Sequence, residues 1–240
     1  MKKRIIYKSG NVLHLFRIDA TSNEKIASKG EKIVQTYHFS REQFDLANSG
    51  EKITMQSFFA LDGSVCFDCP FAVSNGAKLS ACYTHKMMQY SGFLSSLRSV
   101  RLSMSWDEIP ELNLDIIQQI VSACSGLYVR FGTYGEPSLI PLDLMASITL
   151  NAKNWTGYTH QWLRKPEYSA FLMASVHNES QAEFAKKQGW RSFVATKQGI
   201  DGLVNCPASE EAGFKSTCSK CGLCSGAAGK GQKSVWILQH

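Results

Sequence analysis

The chain has 240 residues, 44% hydrophobic and 19% charged, with a formal charge of +6 at pH 7. A chain of this length buries roughly three quarters of its unfolded surface, and the composition excludes a disordered or fibrous protein. No apolar stretch reaches membrane length, and Lys8, Ser9, Asn11 and His14 interrupt what would be a signal-peptide core after the basic run Met1–Arg4, so a cytoplasmic protein away from membranes is expected. Eight cysteines in such a compartment point to metal binding or catalysis rather than disulfides. The positive charge permits an anionic partner without demanding one, because the basic residues are scattered.

Residues 1–50 read as a β-rich N-terminal segment. Ile5–Tyr7 and Val12–Ile18 are strand-like with Gly10-Asn11 as the turn, Asp19–Lys32 is a polar exposed loop, and Gln35–Phe39 is a third strand. His14 and His38 are expected to be partly buried strand residues. Residues 51–200 read as a partial (β/α) barrel. Ile53–Leu61 is apolar enough for a strand, and a cysteine loop follows at once. Residues 84–104 read as a helix whose apolar face includes Met87, Met88, Phe93, Leu94, Leu97 and Val100. In Asn113–Ser125, residues Ile117, Ile120, Val121 and Cys124 recur at helical spacing, which assigns Cys124 a structural role. Gly126 ends that helix.

A strand at Leu127–Phe131 is followed by the loop Gly132–Pro137, a helix from Pro141 to about Asn151 and a strand over Asn154–Trp162. The run Ala170–Val176 suits a strand covered on both faces. Asn178 and Gln181 cap a helix reaching Gln188, Gly189 closes it, and Trp190–Ala195 is the next strand. This alternation predicts an α/β fold with parallel strands. Residues 201–240 form a cysteine-rich metal-binding extension that ends in a strand at Ser234–Leu238.

The chemistry concentrates in two cysteine sets. Cys206, Cys218, Cys221 and Cys224 include a C-x2-C-x2-C run in a tract rich in Gly, Ser, Lys and Glu, unlike cysteines that merely pack. Sulfurs three residues apart on a turn can converge on one centre, with Cys206 folding back as fourth ligand; the alternatives are disulfides or thiols with no common role. Tetrahedral zinc and an iron–sulfur cluster both fit. The second set is Cys66, Cys69 and Cys82, the last followed by Tyr-Thr-His85. Three thiols leave one iron of a cluster open; alternatively His85 completes a Cys3His zinc site, or the thiols simply pack. Asp68 is expected to face solvent.

Ligands gather at the carboxyl ends of parallel strands in α/β sheets. There stand Gly135, which lets backbone approach a ligand closely, Glu136 with its carboxylate, and Pro137. His160 reaches the same face with Gln161 and Trp162 beside it. Arg130 alternates with Val129 and Phe131, and either binds an anion inside the barrel or salt-bridges outside it.

Cys66-x2-Cys69…Cys82, Gly132-Thr-Tyr-Gly-Glu-Pro137, Gly157-Tyr-Thr-His-Gln-Trp162 and the C-terminal Cys-Pro-Ala-Ser…Cys-x2-Cys-x2-Cys together resemble an uncharacterised family common in phages and mobile elements. More distantly, the layout resembles the radical S-adenosylmethionine superfamily, in which a cluster-binding cysteine loop follows the first strand of a partial (β/α) barrel and a Gly-Gly-Glu-Pro motif follows the second. That resemblance implies a catalytic 4Fe–4S cluster on Cys66, Cys69 and Cys82. It further implies S-adenosylmethionine at Gly135, Glu136 and Pro137, and an auxiliary 4Fe–4S cluster on Cys206, Cys218, Cys221 and Cys224. This sequence departs from the usual C-x3-C-x2-C loop, and Tyr134 stands where the motif has its first glycine.

Two functions from different classes follow. The first is an iron–sulfur enzyme abstracting hydrogen from an unidentified substrate bound near the catalytic candidates Arg130, Glu136 and His160, and near Trp162, with a reductant protein as partner. The alternative is a zinc-stabilised nucleic-acid-binding or replication-associated protein of a phage or mobile element. In that case Lys215, Lys220, Lys230 and Lys233 would meet DNA or RNA phosphates, and aromatic residues would stack on bases.

Overall fold

Alternating apolar residues draw the first two strands into a hairpin: β1 (Lys3–Ser9) pairs antiparallel with β2 (Val12–Ala20), and Tyr7 lies opposite His14. The computed structural model describes residues 3–229 and 231–238; Lys230 and the first two residues of the basic run lie outside them. β2 continues antiparallel into β3 (Lys32–Ser40). Between them Ile26 and Ala27 are buried, so the Asp19–Lys32 loop is less exposed than its polar composition implies.

Ser40 then caps α1 (Arg41–Ala47) through a reciprocal capping box with Gln43. The stretch expected to form a strand at Ile53–Leu61 is instead α2 (Met55–Phe59). A Thr54–Ser57 capping box starts this helix, and Phe58 and Phe59 are buried against Tyr90, Phe93 and Tyr134. A short apolar run has no periodicity that separates strand from helix, and here the cap decides. α3 (Gly63–Cys66) leads into the cysteine loop.

α4 (Met87–Arg101) buries Tyr90, Phe93, Leu94 and Leu97, whereas Met87 and Met88 are 64% and 89% exposed rather than part of the core. Asn113 caps α5 (Leu114–Cys124) by accepting from the Ile116 amide. Cys124 is fully buried there beside Ile116 and Ile120. β4 (Tyr128–Tyr134) runs three residues further than expected, then a 3-10 turn at Pro137–Leu139 leads to α6 (Leu142–Asn151).

The next strand is broken at Gly157 into β5 (Asn154–Thr156) and β6 (Tyr158–Thr159). β7 (Met173–Val176), α7 (Glu179–Lys187) and β8 (Ser192–Thr196) follow, with Asn178 capping α7. The last elements are β9 (Val204–Asn205), α8 (Cys218–Cys221) and β10 (Val235–Leu238).

The protein is mixed α/β. One sheet has the order β1-β2-β3-β4-β5 and the other β6-β7-β8-β10-β9. β3, β4 and β5 pair in parallel, and so do all strands of the second sheet. β3, which the sequence reading grouped with residues 1–50, thus joins the parallel strands of the segment that follows. Period-two alternation divides β4 between its faces. Val129 and Phe131 pack with Ile120 of α5 and Leu144, Met145 and Ile148 of α6. Tyr128 and Arg130 point the opposite way, toward the cysteines.

A polar pair lies deep in the hairpin. His14 and His38 are 1% and 0% exposed, and their Nδ1 atoms are 3.0 Å apart. Tyr7 stacks on His14 at 4.3 Å. These histidines are fully rather than partly buried. Burial holds His14 down from 6.5 to about 3, and burial followed by the neighbouring His14 holds His38 well below its ordinary value.

A lowered folded pKa means that the unfolded chain takes up protons first, so this stability is complete above pH 6.5 and is lost as pH falls toward about 3. The urea midpoint is therefore expected to drop between about pH 7.5 and about pH 5. His14→Asn, which keeps a polar partner near His38 Nδ1, is expected to show a smaller drop. An unchanged slope in that variant would locate the acid sensitivity elsewhere.

Candidate metal and cofactor site

The first cysteine set is built by tight local turns. The amides of Val65 and Cys66 donate to the Asp62 carbonyl at 3.0 and 2.8 Å, and the Cys69 amide donates to the Cys66 carbonyl at 3.0 Å. Phe67 takes a positive φ of 49° between the two cysteines. The Asn75 side-chain amide clamps the turn by donating to the carbonyls of Phe67 and Cys69. Cys82 arrives from the far side of the loop, with Sγ 3.1 Å from Thr84 Oγ1. Burial pushes the Cys66 thiol well above its usual pKa, with Asp62, Cys69 and Cys82 adding to the effect. Burial likewise pushes Cys69 up to about 12 and raises Cys82. The three thiols share one neighbourhood.

The Gly-Glu-Pro stretch at the end of β4 packs directly on this loop. Glu136 donates its amide to the Val65 carbonyl at 2.7 Å. Gly135 has φ +76°, and a Cβ there would lie 2.8 Å from His38 Cβ and 3.0 Å from the His38 carbonyl, so only glycine permits the approach. Pro137 fills the space over Gly132, where an added Cβ would meet its ring at 2.8 Å.

The Glu136 carboxylate is buried at 4% exposure. It accepts from the Ser138 amide at 3.3 Å and the His160 amide at 3.1 Å. Burial raises its pKa, and hydrogen bonds led by that of Thr159 oppose the rise. Its oxygens thus join the carboxyl ends of β4 and β6.

His160 lies beside the same loop, with Nε2 3.9 Å from Cys69 Sγ. Burial, then the neighbouring His177, pushes it down to about 4. His177 follows β7 and stacks on His160 at 5.6 Å, and neither of its ring nitrogens has a hydrogen-bond partner. Its position just past a predicted strand end is the signal that would have found it. Asp68 faces solvent as expected, and its exposed carboxylate accepts from Gln161 and pairs with Arg164 at 3.0 Å. Trp162 is buried and packs edge-on against Phe184, so it belongs to the core. His85 packs on Phe59 at 4.3 Å.

The second set is gathered from three places. The Cys218 and Ser219 amides, at the start of α8, donate to the Lys25 and Ile26 carbonyls at 3.0 and 2.8 Å. The Cys206 amide donates to the Trp236 carbonyl at 2.9 Å, and the Gly157 amide to the Cys224 carbonyl at 3.1 Å. Arg191 secures the tract by donating to the carbonyls of Gly226, Leu223 and Lys233. Burial raises Cys206 and Cys224, pushes Cys218 up to about 11, and leaves these thiols within electrostatic reach of one another and of Cys221.

Arg130 stands between the sets. Its guanidinium donates to the Tyr83 hydroxyl at 3.2 Å, one residue from Cys82, and lies over the Tyr83 ring. It is also close enough to Cys218 to lower that thiol's pKa. Burial disfavours the guanidinium charge, but the phenols of Tyr83 and Tyr128 more than offset this and hold its pKa above the ordinary value.

Both donor sets are chemically suited to zinc or to an iron–sulfur cluster, because sulfur groups sit together where burial penalises bare thiolates. Among the described residues, no three His, Cys, Asp or Glu side chains stand arranged to hold a metal ion. No helix among them is long and apolar enough to cross a membrane. No family model, curated protein or solved structure matches the chain.

Proposed function

We propose that the chain is an iron–sulfur enzyme of the radical S-adenosylmethionine type, acting in the cytoplasm with a reductant protein as partner. The observation that carries this reading is the main-chain bond from Glu136 to Val65, beside Cys66. It brings the Gly-Glu-Pro stretch, the candidate cofactor contact, against the candidate cluster loop. The strands support the reading as well: only Gly157 separates β5 from β6, so the two sheets can be taken as one curved partial (β/α) barrel. The C-terminal tract is then a metal-binding extension closing it.

In this reading Cys66, Cys69 and Cys82 hold the catalytic cluster, and Cys206, Cys218, Cys221 and Cys224 the auxiliary one. When bound, the cluster and S-adenosylmethionine together supply reductive cleavage of a sulfonium bond and hydrogen abstraction. The chain's residues supply position. Gly135 lets the strand end pack closely on His38 and the cluster loop, while Glu136 fixes the strand ends. The neutral His160 is available as a proton acceptor beside Cys69, and Arg130 can hold an anionic end of a substrate between the two sets.

Anaerobically purified protein is expected to contain iron and acid-labile sulfide enough for two clusters, and to release 5′-deoxyadenosine and methionine from S-adenosylmethionine under reduction. Stoichiometric zinc without sulfide would end this reading. The zinc-dependent nucleic-acid alternative has one specific observation in its favour: exposed Phe214 has a positive φ of 48° and lies 4.9 Å from Lys25 Nζ, offering an aromatic face and a cation together. Binding to single-stranded DNA that weakens as salt rises would support it.

A further inference from the structure

Phe214 holds an unfavourable conformation in an unfavourable place. Its φ of 48° lies in the left-handed region, which bulky side chains rarely adopt. The residue is also 51% exposed, so burial does little to offset that strain. Two main-chain bonds fix the loop behind it: the Gly213 amide donates to the Glu210 carbonyl at 2.8 Å, and the Phe214 amide to the Ser209 carbonyl at 3.0 Å. Strain imposed in this way clusters at ligand contacts.

The surroundings are cationic. Lys25 Nζ lies 4.9 Å from the centre of the Phe214 ring. The Cys218 and Ser219 amides hold the Lys25 and Ile26 carbonyls, and Cys218 packs with Ile26, Ala27 and Tyr128. The loop before β3 and the segment leading into α8 are thereby stitched into one surface. Lys25, Lys29, Lys32, Lys215 and Lys220 are exposed on these segments. Of the glutamates there, Glu31 is tied to Lys153 at 3.6 Å and to the Ser219 hydroxyl at 3.1 Å. Glu211 is half-buried, which leaves Glu24 and Glu210 as the exposed acids.

We propose that this surface binds single-stranded nucleic acid, with Phe214 stacking on a base and Lys25, Lys215 and Lys220 meeting the flanking phosphates. An aromatic face accepts any base, since every base has a π-face, and the lysines release counterions from the phosphates they meet. A duplex hides its base faces in its own stack. The inference goes beyond the enzyme reading and requires no metal at either cysteine set.

The test is the fluorescence anisotropy of a labelled oligothymidylate titrated with the full-length protein at several salt concentrations. The parent is expected to bind, and more weakly as salt rises. Phe214→Gly removes the ring and relieves the backbone strain. It is expected to bind about 5- to 150-fold more weakly, the worth of one stacked base, while melting no lower than the parent. Phe214→Trp restores an aromatic face and is expected to bind at least as well as the parent. Replacing Lys25 and Lys215 by glutamine should reduce the slope of log affinity against log salt by about 0.7 for each lysine.

A ring with a purely structural role predicts the opposite for Phe214→Gly, a lower melting temperature with unaltered binding. No binding by the parent, unaltered binding by Phe214→Gly, or a loss that Phe214→Trp shares overturns the proposal. So does equal competition from inorganic polyphosphate, which carries the charge without the bases.

Discussion

Replacing Glu136 by alanine is expected to lower stability by about 3 kcal/mol, which for a chain of this size is a fall of about 6–12 °C in melting temperature. Two backbone amides, that of buried Ser138 and that of half-buried His160, donate to its carboxylate. Alanine leaves both without that acceptor, and each donor orphaned away from water costs about 1–3 kcal/mol. The bond from residue 136 to the Val65 carbonyl is main chain and survives the substitution. The cysteine loop should therefore stay attached while His160 loses its fixed distance from Cys69. Glu136→Gln retains one acceptor oxygen and should fall between the parent and alanine. Thermal denaturation followed by circular dichroism checks the series, and an alanine variant as stable as the parent would show that the strand ends need no such tie.

The second large effect is expected at Gly226. This residue has φ +68°, and a Cβ there would lie 2.5 Å from the Phe171 carbonyl carbon, 2.6 Å from the Ala170 oxygen and 2.7 Å from the Leu172 nitrogen. All three are backbone atoms and cannot turn aside as a side chain would. Gly226→Ala therefore pays for overpacking as well as for a left-handed conformation, together about 2–4 kcal/mol.

The strain falls on the seam that fastens the C-terminal tract. Ala227 and Ala228 donate to the Ser169 and Ala170 carbonyls at 3.0 and 2.8 Å, and Arg191 donates to the Gly226 carbonyl at 2.7 Å. Opening that seam should expose residues 218–229 to limited proteolysis before the sheets unfold and should loosen any metal held through Cys224. Gly76→Ala is a useful contrast. Gly76 also has a positive φ, but an added Cβ there meets nothing within 4 Å, so only the conformational cost remains. Equal protease resistance in Gly226→Ala and the parent would rule out this seam as the anchor.

The candidate site was legible where chemistry repeats at short range. The C-x2-C spacings marked both cysteine sets. Gly135 was marked as a place where backbone approaches a ligand; the close approach in the structure is to His38, whose Cβ would lie 2.8 Å from an added Cβ. Cys124 was separable from the other thiols by its helical stripe, and it is buried in the core. Trp162 was misplaced, because adjacency to His160 in sequence does not make it share a face with His160.

Local sequence determined the elements whose signals are local: the hairpin around Gly10, the capped helices α5 and α7, and the strands between them. It also determined that parallel strands follow one another from residue 127 onward. Within Ile53–Leu61 the local Thr54–Ser57 capping box outweighed β-like composition and started a helix. Only tertiary structure decided that β3 pairs with β4, that Met88 faces solvent, and that Arg130 lies between two groups of cysteines far apart in the chain. Hydrophobic periodicity specifies which face of an element turns inward. It carries no information on which other element that face will meet, because burial is non-directional and the partner is selected by packing over the whole chain.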